Sequence, residues 1–325
     1  MTSLAVALAE GVVVLDGGLA TELEARGHDL GSTLWSARLL AEDPAAVTAA
    51  HAAFFAAGAR VAVTSSYQAS FDGLAAAGLD RGDAEALLRL SVTLADRARQ
   101  QTDDPDRRWV AASVGPYGAA LADGSEYRGD YGLTVDQLRA WHRPRLEVLA
   151  GAGADVLACE TVPCLAEAEA LLLEVQRLGV PAWLSLTCDG LRTRAGEPVV
   201  EAFAMAAEVP ELVAVGVNCT DPADVEPLVA LAAQVGGLPV VVYPNSGETW
   251  DAEAHRWSGR SQFHPEQVDR WTRAGARLVG GCCRVGPEDI AALAATVAAT
   301  ANDATANDAT GPAALLAGAG ARGSR

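Results

Sequence analysis

Residues 214–245, AVGVNCTDPADVEPLVALAAQVGGLPVVVYPN, carry the pattern that decides the fold. The apolar run Ala214–Asn218 reads as a buried strand, and Asp221-Pro222 puts proline where the first turn of a helix falls. An alanine- and leucine-rich segment follows, then a second apolar run, Val240–Tyr243. This is one strand–helix–strand unit, and the chain repeats it. Working outward, strands are expected at Val12–Asp16, Val61–Ser65, Trp109–Val114, Val156–Glu160, Ala182–Thr187 and Arg277–Gly280. Most are continuous apolar runs, as strands covered on both faces are. Asp43-Pro44 and Gly286-Pro287 read as helix starts and Thr134 with Gln137 as a capping box. Gly58, Gly151, Gly179 and Gly275 read as helix stops. Eight strand–helix units in strict order predict an α/β protein, a closed (β/α)8 TIM-type barrel forming a single domain over residues 1–300. An open doubly wound sheet is the alternative and usually has fewer strands. Residues 301–325 begin within the repeat ATANDATANDAT, show no periodic apolar face and predict a disordered low-complexity tail. The connections Leu121–Gly132 and Ser246–Gln262 are long enough to be lids or binding loops.

Composition narrows the function. Half of the 325 residues are hydrophobic, the net charge is -18, and every basic side chain is arginine, with no lysine. Such a surface repels phosphate backbones and anionic lipid, so small-molecule substrates are expected rather than nucleic acid or membrane. No basic segment precedes the N-terminal apolar run and no uninterrupted apolar stretch is long enough to span a bilayer, which predicts a cytoplasmic protein. The six cysteines are then expected to be free thiols.

In a barrel the active site forms at the C-terminal ends of the strands and the loops after them. Those positions hold Asp16-Gly17-Gly18, Thr64 to Tyr67, Gly115-Pro116-Tyr117, Glu160-Thr161, Thr187 to Asp189, Asn218-Cys219, Tyr243 to Ser246 and Gly281-Cys282-Cys283. Polar and reactive side chains gather there and are scarce at the opposite ends. Cys219 closes the sixth strand, and Cys282 and Cys283 close the eighth. The two flank the seventh strand and can converge over the barrel mouth. Three thiolates leave one open position on a tetrahedral zinc, as a catalytic site needs. Gly280 and Gly281 would let the chain curl so that consecutive thiols reach one ion. Cys159 and Cys164 read as packing residues, and Cys188 could reach the mouth. His51 and His142 fall within helices and read as surface or packing residues, and no histidine pair has metal-ligand spacing. Glu160 sits in apolar surroundings and needs a cation, either a substrate ammonium or an internal arginine. Asn218 and Asn245 could orient neighbouring groups or satisfy turn backbone.

The segments LDGGLATELEARG, LWSARLL, TSSYQAS, GPYGAALADGSEYRGDYG, HRPRLEVLAGAGADVLACETVP, GVNC, VVYPNSGETWD and GGCCR occur in an order that resembles the homocysteine S-methyltransferases, from about Val13 to Ile290. More distant betaine–homocysteine and cobalamin-dependent methyltransferase domains share mainly DGG, GVNC and GGCC. One departure is DGGLATEL where many relatives read DGAMAT, a glycine for an alanine that removes no side-chain function. The resemblance implies a (β/α)8 barrel with one zinc per chain on Cys219, Cys282 and Cys283. It implies homocysteine contacts at Asp16, Gly17, Thr64, Ser65 and Glu160, with Asn218 beside the metal loop. It also implies methyl transfer from a sulfonium, S-methylmethionine or S-adenosylmethionine, to the zinc-bound thiolate of L-homocysteine, giving methionine. A cationic sulfonium is expected on aromatic faces, with Trp35, Tyr67, Tyr117 and Tyr127 as candidates. Three alternatives stay open: a selenocysteine or other thiol methyltransferase on the same site, a zinc-dependent hydrolase, and a non-catalytic zinc protein closed by Cys188.

Overall fold

The structure, a computed structural model, describes residues 2–29, 36–251 and 256–309. Eight parallel strands make the barrel: β1 (Val13–Val14), β2 (Val61–Val63), β3 (Trp109–Val114), β4 (Val156–Val162), β5 (Ala182–Leu186), β6 (Leu212–Asn218), β7 (Val240–Tyr243) and β8 (Ala276–Val279). Each pairs with its sequence neighbour, and β8 pairs with β1 through Val13–Leu278. A parallel bridge between Leu15 and Val61, with Asp16 N–H donating to the Val61 carbonyl at 3.0 Å, joins β1 to β2. That contact closes the ring and removes the open-sheet alternative, because no exposed edge remains among the barrel strands.

Two apolar layers follow from the alternation of side chains along each strand. Leu15, Trp109, Ala158, Trp183, Val241 and Leu278 point inward and fill the barrel. Leu184, Val215, Val217, Val242 and Val279 belong to the layer under the helices. The apolar residues before Val12 were assigned to no element from sequence. They form a helix, Leu4–Glu10, capped by Ser3, and Leu4, Ala7 and Leu8 join the inner layer. Trp109, at the first position of β3, donates its indole N–H to the Thr2 carbonyl, so this helix sits at the end of the barrel opposite the mouth. The helix signals read from sequence appear in place. Asp43 caps Pro44–Ala56, Thr134 and Gln137 form a reciprocal capping box on Val135–Ala150, and Gly179 ends Leu165–Leu178 at φ +64. The last helix, Pro287–Ala309, continues into the low-complexity stretch, and residues 310–325 lie outside the described residues, as does Trp35. Part of the 246–262 connection is a hairpin, Thr249–Asp251 with Arg256–Ser258.

Gly216 shows how tightly the ring is drawn. A Cβ there would stand 1.9 Å from the Val241 carbonyl oxygen of β7. Gly151, by contrast, has no neighbour closer than 3.5 Å to such a Cβ. Gly216→Ala is therefore expected to lower unfolding free energy by about 1–3 kcal/mol or more through overpacking, and Gly151→Ala to stay within about 0.5 kcal/mol. Denaturant melts of the two variants check this.

Candidate metal and amino-acid site

The sulfurs of Cys219, Cys282 and Cys283 lie within 4.8 Å of one another at the mouth, and Cys282 Sγ is 4.0 Å from Cys283 Sγ. A tetrahedral site with zinc–sulfur bonds of about 2.3 Å has sulfur–sulfur edges of about 3.8 Å, so the donor set and spacing fit zinc. Among the described residues no fourth cysteine, histidine or carboxylate joins the group; Cys188 is buried elsewhere, its backbone N–H donating to Thr220 Oγ1. All six cysteines are free thiols. In this packing, hydrogen bonds from Cys219 and Cys282 hold the Cys283 thiol well below its ordinary range. The reciprocal bonds, with burial, push Cys282 well above it. Three crowded thiols are what a bound cation would stabilise as thiolates.

Backbone hydrogen bonds between four loops hold the thiols in place. Cys219 N–H donates to the Tyr243 carbonyl, Asn245 N–H to Thr220, Cys282 N–H to Pro244 at 2.7 Å, and Gly281 N–H to Asp16. Asn245 Oδ1 accepts from Cys283 N–H at 3.1 Å, so this side chain does orient the thiol loop. The two glycines act differently from the sequence reading, since neither adopts a positive φ. Gly280 lets Asp16 come close, where a Cβ would stand 2.6 Å from its carbonyl oxygen, and Gly281 does the same for Val285, at 2.2 Å. The left-handed conformations fall instead on Cys219 itself, at φ +49, and on Arg284 after Cys283, at φ +66.

Thr161, directly after Glu160, is also left-handed, at φ +59, which is rare for a β-branched residue. Asn218 holds it there. Its Oδ1 accepts from Thr161 N–H, and its Nδ2 donates to Thr161 Oγ1, each at 2.7 Å. The same Oδ1 accepts from Ser185 Oγ at 2.7 Å.

Glu160 is 5% exposed, accepts from Ser113 Oγ, and accepts from the Tyr243 hydroxyl at 3.0 Å. Among the described residues no arginine pairs with it, contrary to the internal ion-pair alternative. Burial raises its pKa to about 7, partly offset by the Ser113 bond. Asp16, across the mouth, is raised well above the carboxylate range by burial, offset by the Val63 N–H that donates to its Oδ2 at 2.8 Å and reinforced by the charge of Glu160. Thr64 Oγ1 accepts from Ser113 N–H at 3.0 Å and bonds Ser66 Oγ at 2.8 Å. The buried Ser65 hydroxyl has no partner among the described residues. Gly17 packs where a Cβ would stand 2.4 Å from the Val285 carbonyl oxygen, which ties the first loop to the thiol loop.

The aromatic candidates separate. Burial raises the Tyr67 hydroxyl pKa, followed by charge from Cys219 and Glu126, and the hydroxyl meets the Thr161 side chain. The Tyr127 hydroxyl is raised by burial and then by charge from Cys219, Cys283, Tyr67 and Cys282, while its ring is partly exposed under Arg194. Tyr117 lies apart, edge-on to Tyr131 at 5.3 Å and Trp141 at 5.1 Å. His51 and His142 are fully buried rather than at the surface. Ser113 and Ser185 were not picked out from sequence, and Thr161 and Tyr243 were placed at the mouth there without a role. Their signal was a polar residue at an otherwise apolar strand position.

The model of the homocysteine S-methyltransferase family matches residues 13–297. Homocysteine S-methyltransferase of Escherichia coli K12 is 46% identical over 296 residues, covering 87% of this chain and 94% of the relative. Homocysteine S-methyltransferase YbgG of Bacillus subtilis is 43% identical with the same coverage. Selenocysteine Se-methyltransferase of broccoli is 42% identical, covering 87% and 88%. The crystal structure of the metallated form of the E. coli homocysteine methyltransferase MmuM superposes with a TM-score of 0.80 at 43% identity, covering 88% of this chain and 96% of that one. The chain belongs to the homocysteine S-methyltransferase family.

Asn218→Ala is expected to orphan the Thr161 amide, costing about 1–3 kcal/mol in stability, and to weaken metal affinity roughly 10–100-fold by freeing Cys219. Thermal melts and competitive metal titration check the two effects separately.

Proposed function

We propose that this enzyme transfers a methyl group from a sulfonium donor to the sulfur of L-homocysteine, giving methionine, with one zinc held by Cys219, Cys282 and Cys283. The observation that carries the reading is the pairing of three convergent thiols with two buried carboxylates, Asp16 and Glu160, that have no basic partner among the described residues. Such a mouth accepts a metal ion at one end and an amino-acid ammonium at the other. The chemistry a bound zinc would supply is stabilisation of the acceptor sulfur as a thiolate near neutral pH.

Glu160 then binds the ammonium, and Ser113 and Tyr243 fix its two oxygens. Ser65 is the free hydroxyl for the substrate carboxylate. Tyr67 and Tyr127, whose hydroxyls lie near the thiols, offer ring faces to the sulfonium. As the new sulfur–carbon bond forms, the donor's sulfur–methyl bond breaks and the donor leaves as a neutral thioether. The thiol proton has already gone to solvent, so no protein base is needed. Holding the two sulfurs and the methyl carbon in line contributes most of what remains, an effect worth about 7–11 kcal/mol in well-oriented reactions. S-Methylmethionine is the favoured donor, and each turnover would then yield two methionines. The free thiols suit the reducing cytoplasm. The second reading, selenocysteine as acceptor, is favoured only by the selenocysteine-methylating relative.

The test is zinc content and methionine formation for the wild type and Cys282→Ala, with homocysteine and each sulfonium. About one zinc per chain and methionine from at least one donor, both lost in the variant, are expected. Absence of zinc with activity intact in Cys282→Ala would overturn the proposal. The pH profile gives a second check. Glu160 titrates near pH 7 in the free enzyme and is neutral below that. The kcat/KM for homocysteine should therefore fall about tenfold per unit as pH drops below 7, and Glu160→Gln should lower kcat/KM and abolish that limb.

A further inference from the structure

We propose that Arg145, buried in the helical layer behind the mouth, is a positioning residue that fixes the methyl-donor side of the site by tying the loops after β2 and β3 together. The inference rests on the proposed function for its substrates but on separate residues for its geometry. Arg145 is 2% exposed on the helix Val135–Ala150. Its Nη2 donates to the Gly115 carbonyl and, at 3.1 Å, to His142 Nδ1, and its Nη1 reaches the Tyr67 carbonyl at 3.5 Å. Gly115 and Tyr67 belong to the loops after β3 and β2, and a Cβ on Gly115 would stand 2.5 Å from the Tyr67 carbonyl oxygen.

The proton positions along this chain are forced. A guanidinium only donates, so His142 Nδ1 accepts and its proton lies on Nε2, which donates to Glu167 Oε1 at 2.8 Å. The same carboxylate oxygen accepts the backbone N–H of Tyr117 at 2.6 Å. His142 and Glu167 are both fully buried. One chain of bonds therefore runs from Tyr67 through Arg145, His142 and Glu167 to Tyr117, and it grips both loops from behind. Burying a guanidinium is costly, and burial lowers the Arg145 pKa to about 10. A hydrophobic side chain would fill the space at less expense but could not hold two carbonyls of different loops at once. Tyr67 is the connection to chemistry. Its carbonyl is held by Arg145 while its hydroxyl meets Thr161 beside the thiols.

Arg145→Lys removes the forked donor while keeping the charge. The expected result is a KM for the sulfonium donor raised about tenfold or more, with the KM for homocysteine and the zinc content within about twofold of wild type. Backbone amides of residues 66–69, around the carbonyl that Arg145 holds, should exchange faster with solvent, and those of β6 and β7 should stay protected. His142→Gln, which keeps one acceptor and one donor, should retain most of the donor affinity. If Arg145→Lys does not fold, His142→Leu, which removes the acceptor for Arg145 and the donor to Glu167, is measured in the same way. A lowered melting temperature with both KM values unchanged, or raised equally, would reduce Arg145 to a structural brace and overturn the proposal. A wild type that methylates nothing from either sulfonium would instead overturn the proposed function; the exchange measurement then decides alone, and unchanged exchange at residues 66–69 would overturn the brace itself.

Discussion

One buried amide fixes two uncommon backbone conformations at once. Thr161 and Cys219 both sit in the left-handed region, where a non-glycine residue costs of the order of 1–3 kcal/mol. Asn218 is the neighbour of Cys219 in sequence and the clamp of Thr161 in space, with three contacts of 2.7 Å. Those bonds contribute roughly 1 kcal/mol each and lie inside the ring of strands, where an unmade bond costs more. The turn at Cys219 aims its sulfur toward the end of β8, and the turn at Thr161 directs the chain away just after Glu160. The same side chain therefore adjoins the thiol turn in sequence and braces the Glu160 turn in space.

The barrel was legible because both of its signals are local. Apolar runs such as Val156–Cys159 and Val240–Tyr243 read as strands buried on both faces, and proline or capping residues marked the helices between them. The ends of β1 and β2 were less legible. Their expected spans, Val12–Asp16 and Val61–Ser65, are shorter in the structure, at Val13–Val14 and Val61–Val63. Asp16 and Thr64 still donate their backbone N–H groups to Val61 and Ala111, but their side chains accept the next amides, of Val63 and Ser113, and end the ladder there, a competition that apolar periodicity does not register. The helix Leu4–Glu10 escaped for another reason: its seven residues and the following strand form one apolar stretch, so the period could not be told apart.

At the site, legibility followed the chemistry of the side chain. Thiols and a carboxylate at strand ends announce themselves, and the structure brings Cys219, Cys282 and Cys283 together with Glu160 and Asp16 nearby. Serine, threonine and tyrosine at inward strand positions do not, because the same residues are common as packing. Ser113, Ser185 and Tyr243 acquire their roles only when β3, β5 and β7 are placed around Glu160 and Asn218. Tyr117 shows the opposite error. Its position after β3 matched that of Tyr67 after β2, yet its ring turns into a cluster with Tyr131 and Trp141 in the helical layer. Sequence position fixes which loop a residue occupies and leaves the direction of its side chain to packing.

The placement of charge follows from the same separation. Glu160 could have been neutralised by an arginine, and this chain has arginine in abundance. Arg145, fully desolvated, instead spends its donors on two loop carbonyls and a histidine, with Glu167 as the anion in its surroundings. Had it faced Glu160, the carboxylate would sit low in its range and already be paired, and a substrate ammonium would have to displace a guanidinium. With the cation kept behind the loops, Glu160 and Asp16 remain raised by burial and unpaired by any basic side chain among the described residues. Under the proposed function, an arriving ammonium would then gain the interaction of a buried charge pair, while the arginine stays bonded to the carbonyls of the two loops behind the mouth.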